Sequence, residues 1–136
     1  MKRILISIFI VLSLLTYSCK KDEVSVNFSN LTSNIWVSDS LLVQGVDASG
    51  PGQLLSVFNG EVIFNEDGTG TFGVYEGTWN FAEEETKIVL SSDSLMFPLS
   101  TNIEELTNTD LKITTEFPNV LAPENPYDIR MTFKAK

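Results

Sequence analysis

The single cysteine of the chain, Cys19, is the residue at which the sequence most clearly predicts covalent chemistry. It is preceded by Lys2 and Arg3, by the apolar stretch Ile4–Leu15 and by a small residue directly before it. This order is typical of a secretory signal peptide, and the apolar stretch is too short to span a bilayer. We therefore predict a signal peptide over residues 1–18 and lipidation of Cys19. The alternative is an ordinary signal peptide with an incidental cysteine.

The other residue types limit the chemistry that the exported chain can perform. Lipidation of Cys19 removes the only thiol, and the sequence contains no histidine. Disulfides, the usual zinc and copper sites and Ser-His-Asp catalysis are therefore excluded. Glu104 and Glu105 are adjacent on a predicted strand and should point to opposite faces, whereas glycoside hydrolysis needs two carboxylates in one cleft. We expect no enzymatic activity, no metal and no cofactor.

The mature chain is strongly acidic. Without Lys2 and Arg3, seven of the nine basic residues remain against eighteen acidic ones, so the net charge falls from −9 to −11. Such a chain repels nucleic acid and anionic membrane surfaces. We expect neither as a partner, and we expect a monomer. Contact with the membrane should come from acyl (palmitate) chains on Cys19.

Residues 19–30 are polar and predict a flexible tether. Its first part, Lys20-Lys21-Asp22-Glu23, places lysines before acidic residues. That arrangement resembles the export signal that directs Bacteroidetes lipoproteins to the cell surface. We expect an outer-membrane lipoprotein that faces either the periplasm or the cell exterior.

Residues 31–136 are expected to form one domain built from β-strands. Short runs rich in Val, Ile, Phe, Thr and Tyr are bounded by Gly, Asn, Asp and Ser, which is typical of strands and turns. The predicted strands are Ile35–Val43, Leu54–Phe58 (alternatively part of a lid), Glu61–Asn65, Thr69–Tyr75, Thr78–Phe81, Lys87–Leu90, Leu95–Leu99, Asn102–Leu106, Leu111–Phe117 and Tyr127–Lys134. Between the first two, Gln44–Gly52 is predicted to be a loop, either a mobile lid or a plain surface loop.

These strands, joined mainly by short turns, suggest an antiparallel meander. A meander of this length must protect its edges, and closure into a barrel is the usual solution. We therefore predict an all-β fold, a closed barrel of about eight strands, with a two-sheet β-sandwich as the alternative. The interior of an eight-stranded barrel is either filled by side chains or holds one small ligand.

Four segments of the sequence follow the order and spacing of a known type of domain. They are Leu31–Trp36, Val62–Gly70, Gly77–Trp79 and Ile103–Leu111. Together they resemble the lipocalin-like lipoprotein domains of Bacteroidetes, except that Asn34 stands where those domains usually have glycine. The resemblance implies a lipocalin-like β-barrel with a possible cavity. It also implies a structural contact in which Arg130 stacks over Trp36 and closes the base of the barrel.

Aromatic side chains are the candidates for a ligand-binding cavity. They are Trp36, Phe64, Phe72, Tyr75, Trp79 and Phe81. If they line a cavity for a small apolar or amphipathic ligand, the protein is a non-enzymatic binding module. If they fill the core, it is a structural or interaction accessory of the outer membrane or cell envelope. An apolar interior cavity of about 300 Å³ or more would favour the first.

Two short motifs predict covalent modification. Residues 39–41 and 93–95 both read Asp-Ser-Leu, which matches the Asp-Ser/Thr-hydrophobic sequon used for O-glycosylation in Bacteroidetes. Ser40 and Ser94 are therefore candidate O-glycosylation sites of an exported protein.

Overall fold

A computed structural model describes residues 24–136, so the predicted signal peptide, Cys19 and the first residues of the tether lie outside the described part of the chain. The described elements, in chain order, are α1 (Val26–Thr32), β1 (Ile35–Val43), β2 (Val46–Asp47), a 3₁₀ helix (Ser56–Phe58), β3 (Glu61–Phe64), β4 (Thr69–Phe72), β5 (Tyr75–Ala82), β6 (Lys87–Ser91), β7 (Leu99–Leu106), β8 (Asp110–Phe117) and β9 (Tyr127–Ala135).

The strands form one closed antiparallel barrel. Apart from the short β2, each strand pairs with the next along the chain, and β1 pairs with β9 from Trp36–Ala135 to Val43–Ile129. Eight strands therefore form the barrel, and β2 is an extra strand on the end of β1. The predicted lipocalin-like barrel is confirmed. The sandwich alternative is wrong, because the β1–β9 ladder leaves no gap between two sheets.

Alternation along the strands explains why this sequence fills a barrel. In β8, Leu111, Ile113 and Thr115 are buried while the residues between them are more exposed. The two buried hydroxyls are satisfied by the backbone: Thr101 donates to the carbonyl of Ile88 at 2.8 Å, and Thr115 donates to that of Ser100 at 2.7 Å. These hydrogen bonds offset the cost of removing the two hydroxyls from water.

Two predicted strands are wrong. Leu54–Phe58 forms turns and the 3₁₀ helix, in which Leu55 and Phe58 are buried. Residues 95–98 form a loop, and β7 begins only at Leu99, directly after a proline that has no N–H for a sheet ladder. Apolar spacing alone does not distinguish a strand from a short segment that folds its side chains over the end of a barrel.

The predicted tether over residues 19–30 is also too long, because helix α1 begins at Val26. Ser25 caps this helix by accepting a hydrogen bond from the N–H of Phe28 at 3.0 Å. Leu31 is fully buried and Phe28 packs against the core, so the helix belongs to the folded domain. The cap and these two apolar contacts outweigh the polar composition of the segment.

The connections of the meander alternate between the two ends of the barrel. We call one end the closed end, which is covered by α1 and carries the turns 65–68, 83–86 and 107–109. We call the other end the mouth, which carries the connections 44–60, 73–74, 92–98 and 118–126. At the closed end, Asn34 joins α1 to the 107–109 turn by donating to the carbonyls of Asn30 at 3.0 Å and Asn108 at 3.1 Å.

Candidate functional site

The closed end of the barrel is packed with aromatic rings. The ring of Trp79 lies 5.8 Å from that of Phe28, 5.6 Å from that of Phe64 and 5.3 Å from that of Phe81. The indole N–H of Trp79 donates to the carbonyl of Asn65 at 2.9 Å. The indole of Trp36, which is fully buried, donates to the carbonyl of Leu31 at 3.0 Å. This half of the interior is therefore a packed core.

This packing changes the role of most of the predicted ligand-binding residues. Among the candidates only Tyr75 lines the apolar cavity described below. The others, which pack in or against the core, are Trp36, Phe64, Phe72, Trp79 and Phe81. Four of their rings, those of Phe64, Phe72, Trp79 and Phe81, pack against one another. Trp36 is fully buried and hydrogen-bonded to Leu31 of α1. These residues hold the barrel together rather than forming a binding wall.

The predicted contact between Arg130 and Trp36 is wrong. Arg130 is exposed on the outer face of β9, between the buried Ile129 and Met131. Its partner on β1 is Leu42, whereas Trp36 pairs with Ala135, so the two residues are separated by roughly 17 Å along the strand. The polarity of Arg130 is better satisfied by solvent than inside a packed apolar core.

The two adjacent carboxylates on β7 also differ from the prediction, because both lie on the outer face. A bulge between Ile103 and Glu105 interrupts the alternation. Glu104 accepts a hydrogen bond from Thr114 at 3.0 Å, and Glu105 forms an ion pair with Lys112 at 2.7 Å. Neither carboxylate faces the barrel interior.

The mouth contains an apolar cavity of about 190 Å³. Its wall combines barrel strands, the 92–98 loop and the segment Leu54–Phe58, which we call the lid. The lining side chains are Leu54, Leu55, Val57, Phe58, Tyr75, Ser94, Leu95, Met96, Phe97, Leu99, Thr115, Phe117, Ile129 and Met131. None of these carries a charge. The volume is below the roughly 300 Å³ at which pockets enclose a whole drug-sized ligand, so the cavity suits part of a molecule.

The lid is fixed by backbone contacts at both of its ends. The N–H of Leu55 donates to the carbonyl of Ala48 at 3.0 Å, and the carbonyl of Val57 accepts from the N–H of Val74 at 2.9 Å. The ring of Phe58 meets that of Tyr75 edge-on at 5.6 Å. Gln44–Gly52, predicted to be either a mobile lid or a plain surface loop, contains β2, which forms a hairpin with β1, and Ala48, which holds the first end of the lid.

Glycines permit the close backbone approaches around the mouth. A Cβ on Gly73, which has φ +63°, would lie 2.0 Å from the carbonyl oxygen of Val57 in the lid. A Cβ on Gly77 would lie 1.9 Å from the carbonyl oxygen of Ser91. The glycine of the Gly-Thr-Trp motif therefore lets β6 lie against β5, which a side chain would prevent.

The turn at 65–68 positions Trp79 and is held by one carboxylate. Asp67 accepts hydrogen bonds from the N–H of Thr69 at 2.9 Å and from its hydroxyl at 2.6 Å. These bonds lower the pKa of Asp67 below its usual value of 3.8. Gly68, at φ +86°, accepts from the N–H of Trp79 at 2.8 Å. The turn and the packed aromatic end therefore depend on each other.

We expect acid to weaken the fold through Asp67. Because its pKa is lowered on folding, its contribution is complete above the unfolded pKa near 3.8 and is lost as the pH falls through the lower folded value. Chemical unfolding followed by tryptophan fluorescence between pH 2 and 7 should therefore show stability rising with pH below about 4. Asp67→Asn keeps the acceptor oxygen and should reduce that rise; the remainder comes from Asp110, whose pKa is lowered by its hydrogen bonds with Lys134 and Thr109. Glu66→Gln, in the same turn, should not reduce the rise; an unchanged slope in Asp67→Asn would contradict this assignment.

The two predicted glycosylation sites lie in different surroundings. Ser94 is exposed on the 92–98 loop and contributes to the cavity wall. Ser40 is half-buried within β1 and is paired with Thr132 of β9. Glycosylation of either residue stays a prediction, but Ser94 is the more accessible of the two.

Comparison with known proteins finds no matching protein-family model and no similar curated protein. The described residues include no helix long and apolar enough to cross a membrane. Within the same part of the chain, no three carboxylates converge on a position that could hold a metal ion. The uncharged cavity at the mouth can bind an apolar group by removing it from water.

Proposed function

We propose that this protein is a non-enzymatic, lipid-anchored binding module of the outer membrane that accepts the apolar part of a small amphipathic molecule. The observation that carries the proposal is the uncharged cavity of about 190 Å³ beneath the lid. Its size favours an amphipathic ligand over a large apolar one, because only part of the ligand fits inside. Two hydroxyl-bearing side chains on its wall, Tyr75 and Ser94, would meet the start of a polar head group.

The proposed anchor would determine which end of the barrel lies next to the membrane. Four residues separate Cys19 from Val24, where the described chain begins, and the five Cα–Cα steps between them span at most roughly 17 Å when extended. Helix α1 follows at once and covers the closed end. The closed end would therefore lie next to the membrane, with the mouth directed away from it. The lipocalin-like resemblance in the sequence supports the same arrangement of a tethered barrel.

The binding proposal is tested by methionine-methyl NMR on the full chain in phosphatidylcholine nanodiscs. Met96 and Met131 both line the cavity, and the third methionine, Met1, lies in the predicted signal peptide. Octyl glucoside, added below its micelle concentration, should shift both cavity signals until they saturate. A signal from the buried Met131 that never moves would contradict the proposal.

Two matched variants distinguish the cavity from the surrounding surface. Leu95→Trp should fill the cavity and abolish the saturable shift, because Leu95 is part of its wall. Leu121→Trp adds the same ring on another mouth connection but outside the cavity wall, and it should bind as the original chain does. Equal effects of the two substitutions would point to a non-specific surface interaction.

We expect Cys19→Ala to release the protein from the membrane fraction. Without the cysteine no acyl chain can be attached, and the acidic chain has no other strong attraction to a membrane surface. Fractionation of the producing cells, followed by detection of the chain in the soluble fraction and in the membrane pellet, measures the release. Lys20→Ala, one residue away, is the control. Unchanged membrane retention of Cys19→Ala would refute the anchor.

A second candidate function is that of an accessory to an envelope protein, with no small ligand. The observation in its favour is that apolar side chains crowd the mouth surface. Seven of the ten exposed large apolar residues among the described part of the chain lie on the mouth connections. They form what we call the rim: Val46, Leu54, Val74, Met96, Phe97, Val120 and Leu121. Failure of octyl glucoside to bind would leave this candidate.

A further inference from the structure

We propose that the mouth selects amphiphiles with a positively charged head group over those with a negative one. This inference rests on the proposed function, since it concerns the part of the ligand that remains outside the cavity. The cavity wall itself is uncharged. Any discrimination by charge must therefore come from the side chains that border the opening.

Exposed carboxylates lie on three of the four mouth connections and at the mouth end of β9. Asp47 lies on the 44–60 connection, Asp93 on the 92–98 loop and Glu124 on the 118–126 loop. Asp128 follows at the start of β9, where its carbonyl accepts a hydrogen bond at 2.8 Å from the N–H of Gln44. None of these carboxylates forms an ion pair with another described residue. Their charges are therefore free to act on a head group.

The lysines of the described chain lie at the other end of the barrel. Each one is paired with a carboxylate: Lys87 with Glu83, Lys112 with Glu105, Lys134 with Asp110 and Lys136 with Glu61. Lys112 lies on β8, Lys134 lies near the end of β9 and Lys136 directly follows β9, all near the 107–109 turn, and Lys87 follows the 83–86 turn. The positive charges thus partly neutralise the closed end and leave the mouth acidic.

The remaining described cation, Arg130, does not reverse this balance. It lies on the outer face of β9, in a surface groove that it shares with Glu116 and Asp128. Glu116 and Asp128 are directly opposite each other across β8 and β9, which places two negative charges beside the single guanidinium. With the carboxylates of the three mouth connections added, the region is net negative.

Because salt screens distant charges, the charges near the opening determine which head group is preferred. At physiological salt the Debye length is about 8 Å, so only charges near the opening act strongly on a head group there. Strand β8 has eight residues, which gives the barrel a height of roughly 20 Å after allowance for strand tilt. Charges at the closed end are therefore screened from the mouth. A ligand with an apolar chain and a cationic head group would match the mouth in two ways: the chain fits the uncharged cavity, and the cation lies near the carboxylates.

The test compares three ligands that share one chain and differ in the head group. Octyltrimethylammonium, octyl glucoside and octyl sulfate are titrated into the full chain in phosphatidylcholine nanodiscs, with the Met131 methyl signal as the readout. We expect the cationic ligand to bind at least about tenfold more tightly than the anionic one at low salt. The ratio should shrink in about 0.5 M salt, where exposed charges are screened.

Neutralising the mouth should remove the preference and leave the cavity intact. The variant Asp47→Asn, Asp93→Asn, Glu124→Gln, Asp128→Asn should bind all three ligands to a similar extent, with unchanged affinity for octyl glucoside. The control removes the same number of charges at the closed end and its neighbourhood through Glu66→Gln, Glu84→Gln, Glu85→Gln and Glu104→Gln. It should keep the preference.

The outcomes separate this inference from the function on which it rests. Equal binding of the three ligands by the original chain, with normal binding of octyl glucoside, overturns the charge selection alone. A preference that survives in the mouth variant, or disappears in the closed-end control, overturns its assignment to the mouth. No binding of octyl glucoside overturns the proposed function and the charge selection with it.

Discussion

Replacing Trp79 by alanine is expected to lower the free energy of unfolding by about 3–5 kcal/mol, the usual cost of removing a buried tryptophan. The side chain is only 6% exposed and meets the rings of Phe28, Phe64 and Phe81. Its loss leaves a cavity beneath α1 and also removes the hydrogen bond to the carbonyl of Asn65. Urea unfolding followed by circular dichroism measures the change.

The matched variant Trp79→Phe separates the two contributions. It keeps a ring in the aromatic cluster but has no N–H for Asn65, so it should cost less than the alanine substitution. A loss below about 1 kcal/mol in Trp79→Ala would contradict a packed closed end, since that is the size of an ordinary surface effect. The aromatic cluster would then again be a candidate for the ligand-binding cavity.

Gly73→Ala is expected to displace the lid and to cost about 2–4 kcal/mol of folding free energy. The new Cβ would lie 2.0 Å from the carbonyl oxygen of Val57, and the residue would remain at φ +63°. The backbone of the lid must therefore move away from the turn. Because the lid forms one wall of the cavity, the same substitution should shift the Met131 methyl signal without any ligand.

Gly45→Ala is the control for backbone strain alone. Gly45 has a similar φ, +77°, but a Cβ there would meet nothing within 4 Å. This substitution should lower the folding free energy by only the roughly 1–2 kcal/mol that a side chain costs in the left-handed conformation. It should leave the Met131 signal in place. Equal losses in the two variants, with no change at Met131, would show that the lid does not rest on Gly73.

Local patterns predicted the barrel well because each strand carries its own signal. The first predicted strand, Ile35–Val43, is reproduced with the same ends by β1. The turn at Asp67-Gly68 rests on the same kind of local information, since an Asp-Gly pair supplies both the carboxylate and the residue that tolerates a positive φ. Barrel closure followed from the need to protect sheet edges rather than from any single residue.

The candidate site was harder to predict because it depends on which end of the barrel is covered. The six aromatic residues have inward-facing positions, but the alternation of a strand does not show whether α1 packs over them. The sequence predicts a strand over Leu95–Leu99, although residues 95–98 belong to the 92–98 loop of the mouth. Their strong apolar character was a usable signal, and the proline at 98 was the evidence that the strand begins later.

The proposed function requires the apolar chain of an amphiphile to enter the cavity at the mouth. It is tested most directly by intermolecular nuclear Overhauser effects between the terminal methyl of bound octyl glucoside and the methionine methyls of the full chain. Met131 is buried on the cavity wall, whereas Met96 is 97% exposed at its edge. We expect a contact between the terminal methyl and Met131. Contacts with Met96 alone would place the chain on the rim and would contradict the proposed function.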